Sequence, residues 1–422
     1  MTGETLSTDE RRLIVLLGIP SAGLSLSLVV LATYLPLLAL RFTSSTTIIG
    51  ALVGGEGLIA VLIPVWVGRL SDRTKTRIGR RLPFVIAAAP VTALALAVAP
   101  FARSLPAMAV AVLVFYLGYF TYFSPYRALY PDLVSEAASG RAQGIQGVFT
   151  GLGMGIALVG GGLLLDVWRP LPYLVAAGTL LLATAVLVVG LKRCAPGTST
   201  PLPDSRSPRT GLWSLLRKHR DIRYFVLGNA LLTLGLGGLK SFVVLWLTQG
   251  LGKSMKFTAC AMTVVALGTV VGALVSGKLA DRYGASPVLL TALTIFGTGL
   301  ALGTFSHSVV VLGAAFPVIA LAGGAAVALP YALLMTLMPS GSHGTVAGLF
   351  DVSSGVGTLL GPTLTGVAVD IFRPFFLSTH GYGAIWPVLS LSILASTLML
   401  WRVGKLAHSS GDPASRTVSV VA

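Results

Sequence analysis

The chain has 422 residues, 54% of them hydrophobic and only 10% charged, against about 25% charged in an ordinary soluble domain. A chain of this composition is excluded from the water-soluble globular class, and apolar runs of about 20 residues, enough for a helix to cross roughly 30 Å of hydrocarbon, recur from end to end. The net charge of +16 suggests a nucleic-acid footprint, an idea that the placement of the basic residues excludes.

In chain order, residues 1–12 form a polar tail and 13–40 the first predicted span, which carries Tyr34. That first apolar run is too long for a secretory signal and lacks a small-residue cleavage site after it, so it reads as a helix. Span 46–68 carries Glu56 about ten residues in, roughly 15 Å deep at 1.5 Å per residue. Spans 82–102 and 107–130 follow, the latter with Tyr116, Tyr119 and Tyr122. Spans 144–165 and 171–191, with Gln143 and Gln146 at the start of the fifth, complete a first bundle over 13–193. The stretch 194–223, rich in Pro, Ser, Thr and basic residues, is a linker. A second set of six spans, 224–248, 257–279, 286–305, 309–337, 345–369 and 382–401, forms a second bundle over 224–405, before a tail at 406–422. Within it lie Asn229, Lys240 and Trp246 in the seventh span, Tyr331 in the tenth and Asp351 in the eleventh. The runs are continuously apolar, without the period-2 alternation of a lipid-facing barrel. The expectation is an all-α membrane protein of twelve transmembrane helices in two pseudo-symmetric six-helix bundles.

The basic residues sort by loop. Arg11, Arg12, the 69–81 cluster, Arg141, Lys192, Arg193, the 206–223 segment, Lys278, Arg282, Arg402, Lys405 and Arg416 share one side. Only Arg41, Arg103, Arg169, Lys253, Lys256 and Arg373 fall on the other. By the positive-inside rule this places both termini and the linker in the cytoplasm, with the chain multi-pass in a cytoplasmic membrane. The basicity is topogenic, and no nucleic-acid partner is expected. Cys194 and Cys260 sit in different spans, so no disulfide is expected between them.

The halves repeat each other. Asp166-Val167-Trp168-Arg169-Pro170 ends the fifth span and Asp370-Ile371-Phe372-Arg373-Pro374 the eleventh. At the same offset Gly140 and Gly144 map to Gly344 and Gly348, while Pro125-Tyr126 matches Pro330-Tyr331 with one residue of slippage. Gly68-Arg69-Leu70-Ser71-Asp72-Arg73 after the second span recurs as Gly277-Lys278-Leu279-Ala280-Asp281-Arg282 after the eighth. Gly147, Gly151 and Gly155, four residues apart, are the spacing that lets helices approach closely. Gly357-x-x-x-Gly361-Pro362 reads as a packed kink.

The loop Gly68 to Phe84 reads GRLSDRTKTRIGRRLPF. Asp72 can accept hydrogen bonds from a helix N-terminus or an Arg, while Arg73, Arg77, Arg80 and Arg81 anchor the loop at the membrane face around Gly79. This loop resembles the signature between helices 2 and 3 of the major facilitator superfamily, G-x-x-x-D-R-x-G-R-R/K, here with extra residues between Arg73 and Gly79. The resemblance covers the whole chain and implies the major facilitator fold. The longer form, S-D-R then R-x-G-R-R-x-P-F, is similar to the branch of sucrose/proton and glycoside-pentoside-hexuronide symporters. Pro125-Tyr126-Arg127-Ala128-Leu129-Tyr130-Pro131-Asp132-Leu133 resembles the P-x-R-A-L-x-x-D-L of the sucrose symporters, whose Arg is implicated in substrate and proton coupling. By that resemblance Arg127 is a coupling candidate, with pairing to Asp132 or snorkelling as the plainer reading. Those symporters carry an Asp eleven residues earlier, where this chain has Tyr116.

If protons are coupled, Glu56 is therefore the candidate carrier, because a buried carboxylate must be protonated or paired for part of any cycle, with a structural interhelix hydrogen bond as the plainer reading. Lys240 can pair with it or snorkel outward. Tyr34, Tyr116, Tyr119, Gln143, Gln146, Asn229 and Tyr331 are candidates to contact a solute, while Gly277, Asp281, Arg282 and Asp351 are candidate gate residues of the second half. No metal-ligand cluster, P-loop, nucleophile elbow or dinucleotide fingerprint is present in the sequence, so neither a cofactor nor catalysis is expected. The expected function is secondary transport of a small organic solute by a monomer in the bilayer, coupled to protons. Symport of a sugar or glycoside follows from the branch resemblance. The scarcity of buried amides favours efflux of a lipophilic compound, and a non-transporting assembly factor or sensor is the third reading.

Overall fold

A backbone in hydrocarbon must satisfy its own hydrogen bonds, and twelve apolar runs satisfy them as helices. The computed structural model describes residues 8–74, 76, 78–134, 136–194, 220–305, 309–336 and 343–409. They form α1 (Thr8–Ala39), α2 (Thr46–Arg73), α3 (Leu82–Val98), α4 (Leu105–Leu133), α5 (Glu136–Val167), α6 (Leu171–Cys194), α7 (Arg220–Leu245), α8 (Met255–Tyr283), α9 (Ala285–Phe305), α10 (Val309–Thr336), α11 (His343–Phe372) and α12 (Ile385–Ser409). Among the described residues all twelve predicted spans fall on helices long and apolar enough to cross a membrane, and no strand is present. The predicted linker core, 195–219, Arg77 and the tail beyond 409 lie outside the described residues.

The helix starts are written in the sequence. The Ser45 hydroxyl accepts from the Ile48 amide to cap α2, and the Ser104 hydroxyl accepts from the Ala107 amide to cap α4, where Pro106 needs no amide partner. A single π turn, Trp246–Gly250, ends α7. Proline occurs inside α1, α2, α3, α4, α10 and α11, as membrane helices tolerate when neighbouring groups satisfy the freed backbone.

Contacts divide the chain into two compact units. The first holds Met1–Ser205, Leu236–Leu267 and Thr358–Ile385; the second holds Arg206–Gly235, Gly268–Gly357 and Trp386–Ala422. The division crosses the boundary expected from sequence, because parts of α7, α8 and α11 pack with α1–α6.

In the first unit α1 lies against α5 and α6, α3 against α4 and α6, and α2 against α4. Three tyrosines four residues apart on α4 tie these helices together. Tyr122 shares a bond with Thr184 of α6 at 3.0 Å, Tyr126 and Tyr130 both donate to the Leu17 carbonyl of α1, and Tyr126 also bonds Ser21 at 2.7 Å. In the second unit α9 packs on α10, while Ser390 and Ser396 of α12 donate to the carbonyls of Gly297 at 2.8 Å and Gly228 at 2.7 Å.

The glycines of α5 correct one expectation. A Cβ at Gly147, Gly151 or Gly155 would meet nothing within 4 Å, so that stripe does not bring helices together. The close approach belongs to Gly153, where a Cβ would collide with the Ala22 carbonyl of α1. The four-residue repeat runs along one helix face and the contact falls on another.

Gly153→Val should therefore destabilise the protein by about 1–3 kcal/mol through overpacking, whereas Gly151→Ala should be neutral or gain up to about 1 kcal/mol of helix propensity. Denaturation midpoints of the two variants in detergent check the contrast, and equal losses would reject this assignment.

Candidate functional site

Within the first unit, α2 carries Glu56 and α7 carries Lys240, and the structure brings them together with Lys240 Nζ 3.6 Å from Glu56 Oε2. The carboxylate side chain is 12% exposed and the ammonium side chain 32%. Burying either charge alone would incur a large desolvation penalty, which the pairing offsets. Of the two readings open to Lys240, pairing is the one realised.

Beside Glu56 stand Tyr116 and Tyr119 of α4. The Tyr116 hydroxyl donates to the Val53 carbonyl of α2 at 3.1 Å, three residues before Glu56. Tyr119 lies in electrostatic reach of both Glu56 and Arg127. Its ring stacks on Phe123 at 5.8 Å between centroids with a 16° interplanar angle, and it also meets Phe115 and Phe120. Arg127 is exposed, with its guanidinium 5.5 Å from the Phe123 ring centroid. Its expected partner Asp132 is taken by other arginines.

Those arginines belong to the loop after α2. Arg81 Nη1 lies 2.6 Å from Asp72 Oδ1 and 2.7 Å from the Ser71 hydroxyl, while its Nε lies 3.2 Å from Asp132 Oδ2 at the end of α4. Arg80 Nη2 reaches the same Asp132 oxygen at 3.8 Å. Gly79 has φ +96°, a left-handed conformation that favours glycine, and its amide donates to the Thr76 carbonyl, so it turns the chain to present both arginines. Gly68 accepts from the Ser71 hydroxyl at 3.0 Å, and Arg73 is exposed.

The remaining candidates scatter. Tyr34 donates to the Ala157 and Leu158 carbonyls at 3.3 and 3.0 Å, which places its hydroxyl in the α1–α5 packing. Gln143 is exposed and Gln146 half-buried on α5. In the second unit, the Asn229 amide donates to Ser353 at 2.7 Å and Ser354 at 2.9 Å, and Tyr331 is 40% exposed with its ring edge-on to Phe350. Asp351, Asp281 and Arg282 are exposed, and the Arg282 guanidinium lies over the neighbouring Tyr283 ring. A Cβ on Gly277 would meet nothing within 4 Å. Among the described residues no group of three or more His, Cys, Asp or Glu side chains could hold a metal ion.

One residue escaped the sequence reading. Asp370, noted only as part of a repeat, receives hydrogen bonds from the Ser45 hydroxyl at 2.9 Å, from the Thr46 amide and hydroxyl at 3.0 and 2.8 Å, and from the Thr47 amide and hydroxyl at 2.9 and 2.7 Å. It thus closes the N-terminus of α2 with a carboxylate from α11, where the helix dipole favours negative charge. Beside it, a Cβ on Gly50 would collide with the Pro362 carbonyl, so the two backbones touch. The signal available was Ser45-Thr46-Thr47 opening one span opposite an acid closing another.

The family model of the Major Facilitator Superfamily matches residues 15–259 and 225–418. An uncharacterised transporter of this type from Bacillus subtilis (strain 168), YfiU, is 26% identical over 32% of this chain and 26% of its own length. A D-xylose transporter of Levilactobacillus brevis is 31% identical over 29% of this chain and 27% of its own. The aligned segments thus span about a quarter of each of these two relatives. A bacterial homologue of the human lysosomal transporter Spinster, in an inward-facing, unoccupied conformation, superposes with a TM-score of 0.73 over 95% of this chain and 96% of that one, at 17% identity. With a family model spanning almost all of its length and a matching fold, the chain belongs to the Major Facilitator Superfamily and is a multi-pass membrane protein.

Proposed function

We propose that the protein is a proton-coupled secondary transporter, with Glu56 as the proton site and Lys240 as its counter-ion. The observation that carries this reading is the pair itself, an acid and a base 3.6 Å apart in apolar helices. While Glu56 is ionised the pair is neutral overall. Protonating Glu56 leaves the ammonium without a counter-charge, a difference large enough to bias which face the site opens to. The solute enters and leaves as Glu56 alternates between these states.

An apolar, aromatic solute suits the surroundings best. Phe123, half-buried and stacked on Tyr119, supplies ring surface, backed by the buried rings of Phe115, Tyr119 and Phe120, while the Nδ2 group of Asn229, the one asparagine in the chain, is engaged by two serines. Sugar transport is the second reading. The likeness to the D-xylose transporter of Levilactobacillus brevis favours it, as does the half-buried Gln146.

The loop after α2 is, on this reading, a latch at the cytoplasmic face, with Arg81 as its centre and Asp72 and Asp132 as its anchors. Asp370 at the start of α2 holds the opposite face closed. The orientation assigned rests on the asymmetry of the basic loops.

In proteoliposomes, a lipophilic aromatic solute should drive proton movement through the wild-type protein, and Glu56→Gln should abolish that signal. Undiminished proton movement in Glu56→Gln would remove Glu56 from the coupling, and a signal with xylose alone would favour the sugar reading.

For the latch, the more buried anchor should matter more. Asp132 is 23% exposed and Asp72 58%, so Asp132→Asn should lower stability by about 1–2 kcal/mol and Asp72→Asn by less than about 1 kcal/mol. Denaturation of both variants checks the order, and a larger loss from Asp72→Asn would overturn it.

A further inference from the structure

On the face opposite the basic loops, the first unit contains a cavity of about 730 Å³, walled by the ends of α1 and α5 and by the turn from α7 to α8. One part of its lining is apolar, including Leu37 and Leu165, and another holds Arg41, Arg169 and Lys253 with Asp166 as the single acid. The sequence places only six basic residues on that face, and three of them line this one cavity. The positive-inside rule disfavours cations there, so topology does not account for the cluster.

The cations are held in place or free to bind. Arg41 donates to the Pro100 carbonyl at 3.4 Å, and Lys253 is half-buried with its ammonium 5.9 Å from the Phe257 ring centroid. Arg169 and Asp166 are exposed, and among the described residues no ion pair joins Asp166 to any of the three. Its repeat mate Asp370 is fully engaged at α2, so the equivalent acid here leaves its surroundings with excess positive charge.

The depth of the cavity is marked by Trp168, which also lines it and meets Phe101 edge-on at 6.0 Å. Both rings are about half exposed, at 49% and 51%, as aromatic side chains are at the level of lipid headgroups. Cations at headgroup depth above an apolar wall are complementary to a phosphate diester carrying acyl chains.

We propose that this cavity seats the headgroup of an anionic phospholipid, with Arg41, Arg169 and Lys253 around its phosphate and an acyl chain against Leu37 and Leu165. A lipid so placed bridges the ends of α1 and α5 to the α7–α8 turn and stabilises the first unit as it stands. Asp166 opposes the charge and weakens the seat.

Thermal unfolding of the full chain in detergent, with short-chain phosphatidylglycerol, short-chain phosphatidylcholine or inorganic phosphate added, tests this. Phosphatidylglycerol should raise the melting midpoint several degrees more than phosphatidylcholine. The Arg169→Gln/Lys253→Gln double variant should lose most of that difference, and Asp166→Asn should enlarge it. Equal shifts from the two lipids, or a full shift kept by the double variant, would overturn the proposal. An equal shift from inorganic phosphate would overturn the lipid source in favour of a soluble anion. Should the double variant not unfold cooperatively, Asp166→Asn decides: an unchanged or smaller difference counts against the seat.

Discussion

The structure depends on one constraint, the free energy of leaving a polar group unpaired where water does not reach, which is several kcal/mol per group in hydrocarbon. It makes every span a helix. It also dictates where side-chain polarity goes. Thr92, Thr184 and Thr263 turn their hydroxyls back to carbonyls four residues earlier, while Tyr34, Tyr116 and Tyr130 reach carbonyls of neighbouring helices. In water such bonds would add little net stability; here each also prevents a penalty, so the tyrosines of α4 act as struts between helices. The Glu56–Lys240 pair is the same rule applied to charge.

Much of this was legible in the sequence because the same constraint writes itself into composition. Apolar runs gave the twelve spans, and the rarity of ionisable residues inside them made Glu56 and Lys240 conspicuous before any geometry was known. Their pairing was one of two open options, since a lysine stem reaches either an acid or the interface. What escaped was rotational phase. Gly147, Gly151 and Gly155 share a stripe, but Gly153 meets α1, because hydrophobic periodicity says little about facing when a helix is apolar all round. Arg127 and Asp132 are close in sequence, yet Asp132 goes to Arg81 and Arg80, fifty residues earlier, a contact only tertiary structure creates.

The internal duplication shows how similar sequence can serve different tasks. Asp370 binds five donors at the start of α2, whereas Asp166, its repeat mate, is exposed beside a cationic cavity. Asp72 is bound by Arg81, whereas Asp281 is exposed at the end of α8. The difference follows from what each acid faces. Ser45, Thr46 and Thr47 offer Asp370 three hydroxyls and two amides, and the first loop supplies Arg80 and Arg81 after Gly79 where the second copy reads Ala285-Ser286 after Gly284. A repeat conserves position along a helix; the partner is set by the neighbouring loop.

The proposed coupling of a proton to a solute rests on the same constraint. A lone buried carboxylate would hold its proton tightly, and a lone buried lysine would shed its own. Held 3.6 Å apart, the two opposite charges offset the penalty of each other's burial, so the energetic event in the proposed cycle is the loss of one partner's charge. Arg127 is the other cation near the aromatic face of α4, but it is exposed and lies on Phe123. Neutralising Glu56 therefore transfers the electrostatic demand to Lys240 in particular. On the proposed reading the pair itself carries the electrostatic change, beside Tyr116 and Tyr119 of α4.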